Sequence, residues 1–419
     1  MFFERKKYLE LLVKGQGNGM VKIVTGIRRC GKSFLLFEIF CKHLLAHDIE
    51  EDHIIGLSLD DLRNRKLRDP ERLLSYIDKH IKHDGRKTFV ILDEVQLVKD
   101  FVELLLTLMH MPDVEVYVSG SNSKFLSSDV VTEFRGRGDE IRVHPLSLSE
   151  YIEGTGKEYA EAVKQYFVYG GLPQVAIQED FQKKETFLKE MAEVTYTRDL
   201  LERNRIKNED GLKELLRIVA SGIGCSTNPK KIADTFKSGA NIAITDSTIR
   251  QYLKHLEDAF ILEEAMRYDI KGRKYIGAEN KYYFEDIGIR NALLNFRQQE
   301  DTHIMENIIY NELRARGYTV DVGMVEIWEK NEDGERKHKK LEVDFVVNRG
   351  SERLYIQSAY ALPSEDKVKQ ETRPFRTIPD AFRRLVIVYE DVLPRRDEAG
   401  ILTMGLKDFL TNTSSIEVI

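Results

Sequence analysis

Apolar and polar positions change rhythm along this chain, and the changes divide it. Val21-Lys22-Ile23-Val24-Thr25, His53-Ile54-Ile55-Gly56-Leu57-Ser58-Leu59, Phe89-Val90-Ile91-Leu92 and Val114-Glu115-Val116-Tyr117-Val118 are short β-rich runs of the kind that fill a buried sheet. Between them apolar residues recur at helical spacing, in Phe34 to Phe40, about Pro70 to His83, and Phe101 to Met111. A short amphipathic helix from Arg5 to Lys14 leads in. Strands and helices alternating at this length predict a parallel sheet with crossovers on both faces, an α/β fold. From Pro145 to about Asn204 the period is helical. It breaks at Tyr169-Gly170-Gly171-Leu172-Pro173, which is either a hinge or a tight inter-helical turn.

Further on, three short helices follow one another. They are Leu212 to Ser221, then 228–236 with Asn228 as cap before a proline at the first helical position, then Asp246 to Leu256. Ile261 to Met266 and Lys281 to Phe284 flank the basic turn Lys271-Gly272-Arg273-Lys274, the outline of a winged helix. In that arrangement the third helix presents Ser247, Thr248, Arg250, Gln251 and Lys254 to a major groove. The last part predicts a helix Glu306 to Arg316, a strand Thr319 to Glu329, a charged tip, strands 341–347 and 354–360, a helix through Asp366 to Gln370, and a strand Arg384 to Tyr389.

Composition narrows the setting. At 419 residues the chain predicts two to four domains. A net charge of −6 argues against a protein that coats polyanions over its whole surface, so any nucleic-acid contact needs a local basic face. Cys30, Cys41 and Cys225 show no C-x-x-C spacing, which predicts free thiols in a reducing compartment. Neither a signal-peptide pattern nor an uncharged stretch of spanning length occurs, so a cytoplasmic protein without membrane association is expected.

The chemistry concentrates in Gly26-Ile27-Arg28-Arg29-Cys30-Gly31-Lys32-Ser33, which fits G-x-x-x-x-G-K-[ST] between the first strand and its helix. Gly26 and Gly31 let the backbone curl so that successive N–H groups of this loop, through Phe34, face an anion. Lys32 adds a mobile charge for the β- and γ-phosphates, Ser33 a hydroxyl for Mg²⁺, and the helix N-terminus its partial charge. Cys30 is read as a small filler. Phe89 to Leu92 runs into Asp93-Glu94, placing Asp93 to hold the Mg²⁺ shell and Glu94 to orient and deprotonate an attacking water. Ser121 and Asn122, after the neighbouring strand, are either γ-phosphate sensors or part of an ordinary turn. Arg137, within Phe134-Arg135-Gly136-Arg137-Gly138, is either an arginine finger or a solvated side chain, with Arg135 the weaker candidate.

Taken together, the 25–33 loop, Leu92-Asp93-Glu94-Val95-Gln96, Gly120-Ser121-Asn122-Ser123, Gly136-Arg137, the 145–151 stretch Pro-Leu-Ser-Leu-Ser-Glu-Tyr and Gly170-Gly171-Leu172-Pro173 resemble the prokaryotic AAA-type ATPases that carry a C-terminal domain of unknown function. The resemblance spans essentially the whole chain and implies a P-loop NTPase core at 1–150, a helical lid at 151–205, a winged helix at 206–285 and a restriction-endonuclease-like domain at 286–419. It also implies adenine, hence ATP, as the base.

Within the last segment the strand order is similar to the D…(D/E)-x-K nuclease frame. Asp344 occupies the first acid position, but Gln357 stands where the second acid belongs and Ala359 where the lysine belongs. An amide is a poor ligand for a hard cation and a methyl group carries no proton, so no DNA cleavage is expected, with Glu306 and Asp344 left as structural acids or a weak metal site. The expected activity is Mg-dependent ATP hydrolysis driving a switch, with an unidentified protein partner or duplex DNA met through Arg250, Gln251 and Lys254. The alternative is an ATP-gated DNA-binding module with incidental turnover. Whether copies of the chain associate is left open.

Overall fold

The computed structural model describes residues 2–120, 136–204, 206–237, 244–330 and 336–417. It divides into two compact units, Met1–Pro145 with Asp258–Phe260, and Leu146–Glu257 with Ile261–Ile419.

In the first unit, α1 (Lys6–Lys14) leads into β1 (Val21–Thr25), and a continuous helix α2 (32–46) follows the glycine loop, its middle turn Leu35–Phe40 in π geometry. Then come β2 (Ile54–Ser58), α3 (Pro70–His80), β3 (Thr88–Asp93), α4 (Phe101–Met109), β4 (Val114–Ser119) and β5 (Gly138–Arg142). The strands lie in the order β2-β3-β4-β1-β5 and every neighbouring pair is parallel. Residues of β1, β3 and β4 are buried throughout, which is why they read as apolar runs rather than alternating ones. Leu73, Ile77, Leu104, Leu105 and Leu108 from α3 and α4 pack on Val90, Leu92, Val116 and Val118. Asp69 caps α3, accepting from Arg72 N, with Pro70 at the first helical position.

Two features of this unit depart from a simple apolar pattern. Lys22 and Glu115 sit fully inside the sheet and pair with each other, the Lys22 ammonium lying 5.2 Å from the Tyr117 ring centre. β5 is the second difference, because its sequence Gly-Asp-Glu-Ile-Arg gives no strand signal and only Ile141 is buried. It is an edge strand held by backbone pairing from Val21↔Gly138 to Thr25↔Arg142, which needs little apolar character.

The second unit begins with α5 (Leu148–Thr155), opened by a capping box in which Ser147 accepts from Glu150 N and Glu150 accepts from Ser147 N. Next are α6 (Tyr159–Tyr169), α7 (Pro173–Ala176), α8 (181–204), α9 (Glu209–Ser221), α10 (Pro229–Thr235) and α11 (Asp246–Asp258). Asn228 caps α10 through Lys230 N and Lys231 N, as its position before Pro229 predicts.

The chain continues through β6 (Leu262–Asp269), β7 (Lys274–Phe284), α12 (Ile287–Leu293), α13 (Asp301–Ala315), β8 (Thr319–Lys330), β9 (Arg336–Arg349), β10 (Glu352–Ala359), α14 (Glu365–Thr377), β11 (Arg383–Val388), β12 (Arg395–Arg396), β13 (Leu402–Gly405) and α15 (Leu406–Thr411). Its eight-stranded mixed sheet runs β12-β13-β11-β10-β9-β8-β6-β7. The hairpin β6–β7, which encloses the basic turn, therefore shares one sheet with the C-terminal strands, joined by Arg267↔Val322 to Asp269↔Met324.

The Gly170-Gly171 break is a clasped turn. Gly170 has φ +71°, and a Cβ there would meet Asp286 Oδ1 at 2.4 Å. Gly171 N donates to Asp286 Oδ2 at 2.7 Å, and its own Cβ would meet Leu146 O at 2.3 Å. Of the two readings of this stretch, the buried clasp favours the fixed turn.

Candidate active site

The glycine loop leaves the end of β1 under steric compulsion. Gly26 has φ +136°, and a Cβ would meet Val143 O at 2.1 Å, so the loop passes over the end of β5 too closely for any side chain. Gly31 at φ +102° and Arg29 at φ +66° complete the curl, and Leu35 N bonding to Gly31 O starts α2. Cys30 is fully buried beneath it, in keeping with its reading as filler. Ile27 is buried as well, while Arg28, Arg29, Ser33 and Phe34 are exposed. Phe34 meets the Phe2 ring at 5.6 Å. Lys32 is buried, its ammonium donating to Gly26 O at 2.9 Å and Ile27 O at 3.1 Å, so the charge is held at the mouth of the loop.

Asp93 ends β3 nearly buried. The Ser119 hydroxyl, at the end of β4, donates to Asp93 Oδ1 and accepts from Glu94 N at 3.1 Å. Glu94 is left-handed at φ +53°, which turns its side chain out of the strand direction, and Gln96 Nε2 donates to its Oε2. Because β4 lies between β1 and β3, the loop and Asp93 stand two strand spacings apart, roughly 10 Å. Ser119 stands between them. No sequence signal singled it out, because it reads as the first residue of the turn that follows the strand.

The remaining sequence candidates divide. Ser121, Asn122 and Arg135 lie outside the described residues. Arg137 immediately precedes β5, beside the start of β1. Its carbonyl accepts from Val21 N at the start of β1, and the four residue steps from there to the loop end cover about 13 Å. Arg142 is paired with Thr25 at the loop end instead, its guanidinium 4.7 Å from the Phe260 ring centre. The sequence reading stopped at Gly138 and passed it over.

In the second unit, Arg250, Gln251 and Lys254 are exposed along α11, and Lys254 pairs with Glu257 at 3.1 Å. Glu306, Asp344 and Gln357 come together with a cation the sequence reading missed. Lys281 Nζ, from β7, lies 2.9 Å from Glu306 Oε1 and 2.7 Å from Glu342 Oε1, and Tyr283 donates to Glu306 at 2.6 Å. Burial pushes the Glu306 carboxyl up, but the Lys281 charge and the bonds from His303, Tyr283 and Lys281 outweigh it and hold it low. Burial and the Glu306 charge push Asp344 well above the usual carboxylate range. Asp344 Oδ2 accepts from Ser358 N at 2.7 Å, and Asp344 N donates to Gln357 Oε1 at 3.4 Å.

The loop fits a polyphosphate with a hard cation. A curl closed to any Cβ at Gly26, one buried ammonium, a hydroxyl at Ser33 and a carboxylate at Asp93 could supply amides and charge for phosphate and oxygen ligands for Mg²⁺.

Residues 18–152 match the AAA domain family, and residues 160–300 match a domain of unknown function, DUF8612. An uncharacterized protein of Haemophilus influenzae is 28% identical over 388 residues, covering 91% of this chain and 92% of its own. One of Methanocaldococcus jannaschii is 28% identical over 366 residues, covering 84% and 77%. Among solved structures, a Walker-type ATPase of Pyrococcus abyssi matches 70% of this chain and 96% of its own at 16% identity and a TM-score of 0.49. Cdc6p of Pyrobaculum aerophilum matches 73% and 93% at 12% identity and a TM-score of 0.31. Residues 18–152 thus carry an AAA domain on a parallel β2-β3-β4-β1-β5 sheet, and the domain of unknown function over 160–300 follows it.

Proposed function

We propose that this protein is a Mg-dependent ATP hydrolase that works as a nucleotide-driven switch. The observation that carries the reading is the Ser119 hydroxyl, which ties the Asp93 carboxylate to the backbone of Glu94 beside the Lys32 loop. Lys32 exchanges its two loop carbonyls for phosphate oxygens, and the amides of 26–34 close on the same anion. Ser33 and Asp93 would hold Mg²⁺, which when bound would neutralise charge on the phosphates. Glu94, steadied by Gln96, orients water and takes its proton. Ser121 and Asn122 are assigned sensing of the γ-phosphate, and Arg137 the arginine finger, within its own chain or on another copy.

Core, lid, winged helix and restriction-endonuclease-like segments keep the boundaries 1–150, 151–205, 206–285 and 286–419 in this proposal. The last segment does not cut DNA, because Gln357 and Ala359 replace the acid and lysine of a nuclease while Lys281 already satisfies Glu306. Metal-dependent cleavage lost on Asp344→Ala would refute that statement.

The test is steady-state ATP hydrolysis by wild type, Lys32→Ala and Glu94→Gln, with and without duplex DNA. Turnover in wild type and its loss in both variants are expected, and variants as active as wild type overturn the reading. A second reading, an ATP-gated DNA-binding module, is favoured by the exposure of Arg250, Gln251 and Lys254 on α11. DNA-stimulated turnover with salt-sensitive binding supports it, and salt-insensitive or absent binding removes it.

A further inference from the structure

At the start of the edge strand β2, away from the glycine loop, His53 is 2% exposed, and neither of its ring nitrogens makes a hydrogen bond among the described residues. A buried imidazole that makes no hydrogen bond calls for an explanation. Its Nε2 faces acids, with Asp84 Oδ2 at 3.2 Å and Asp52 Oδ1 at 4.0 Å. Ligand atoms of Glu50, Asp52 and His53 all lie within 4.8 Å of one another. These separations bracket the spacing of about 3.3 Å between ligands around a tetrahedral zinc with bonds of 2.0–2.1 Å.

We propose that His53, Asp52, Glu50 and Asp84 form a binding site for a divalent transition-metal ion, zinc by ligand set, that clips the start of β2 to the 81–87 connection before β3. One imidazole with carboxylates suits zinc, whereas Mg²⁺ and Ca²⁺ prefer oxygen ligands alone. The acids are met by Lys82, 3.1 Å from Asp52, and by Arg86, 2.7 Å from both Glu50 and Asp84. Lys82 and Arg86 are about half exposed, so they swing into solvent at little expense when a metal takes their place. Buried His53 has no such alternative.

The test uses the full chain, stripped with chelator, held in Mg²⁺ and titrated with zinc sulfate by calorimetry. His53→Gln, the double variant Asp52→Asn/Asp84→Asn, and His43→Ala/His47→Ala are titrated beside it. The last pair, with rings 3.9 Å apart at the C-terminal end of α2, is the competing surface site. One equivalent of zinc with a raised melting temperature is expected in wild type and in the His43/His47 variant. Affinity is expected to fall at least about tenfold in the other two. The double variant changes only surface carboxylates, so its result stands even if His53→Gln misfolds. The proposal is overturned if wild type takes up no stoichiometric zinc, if Asp52→Asn/Asp84→Asn binds as tightly as wild type, or if zinc disappears with His43 and His47.

Discussion

Ser119→Ala removes one oxygen and with it two contacts, the donor to Asp93 Oδ1 and the acceptor for Glu94 N. Asp93 is nearly buried, so water does not freely replace the lost donor. A hydrogen bond to a charged group is worth about 1.5–3 kcal/mol. If that stabilisation positions Asp93 and Glu94 for the reaction, the loss appears in turnover as roughly a 10- to 100-fold lower kcat, at about 1.4 kcal/mol per tenfold. The loop itself is untouched, since Lys32 is held by Gly26 and Ile27, so KM for ATP should stay within about threefold. Steady-state hydrolysis over a range of MgATP concentrations separates the two quantities. Ser119→Thr, which keeps the hydroxyl in a residue suited to strands, should recover most of the rate. A Ser119→Ala enzyme within about twofold of wild-type kcat would refute the reasoning, because the hydroxyl would then position nothing that matters.

Two further outcomes concern stability. Glu115→Ala leaves the Lys22 ammonium buried without its carboxylate and should cost about 3–5 kcal/mol in urea unfolding, whereas Lys22→Met/Glu115→Leu should return close to wild type. A loss below about 1 kcal/mol for Glu115→Ala contradicts the buried pair. Burial pushes the Asp286 carboxyl up to about 6, against the lowering pull of the Gly171, Ile289 and Gly288 amides. A raised acid binds its proton more tightly when folded, so its contribution is fully present below the unfolded pKa near 4 and is lost as pH rises through 6. The stability difference between wild type and Asp286→Asn should therefore shift by about 2–2.5 kcal/mol between pH 4 and 7, and a pH-independent difference contradicts it.

Much of the first unit is legible in the sequence because its strands are buried on both faces and its loop needs glycine at fixed places. Val21 to Thr25, Phe89 to Asp93 and Val114 to Val118 announce themselves as apolar runs, and the loop's spacing gives Lys32. β5 escapes notice because an edge strand is held by backbone pairs that any side chains allow. Missing β5 also hid where Arg137 sits, since only the register Val21↔Gly138 shows which end of the sheet it occupies. Ser119 and Lys281 escape for another reason. A serine ending a strand and a lysine within one carry no local signature, and their roles arise from partners 26 and 25 residues away. The joining of β6–β7 to β8 is equally hidden, since the register of three residue pairs has no trace in the pattern of either strand.

Everything proposed for catalysis requires the 26–33 loop to close on a nucleotide triphosphate with its magnesium. Isothermal calorimetry of wild type and Lys32→Ala against a non-hydrolysable ATP analogue in Mg²⁺ addresses that directly. One equivalent should bind wild type, with affinity falling at least about tenfold in Lys32→Ala as a charge-assisted phosphate contact is lost. Folded wild-type protein that gives no heat at saturating analogue, or a Lys32→Ala variant that binds as well as wild type, contradicts the account.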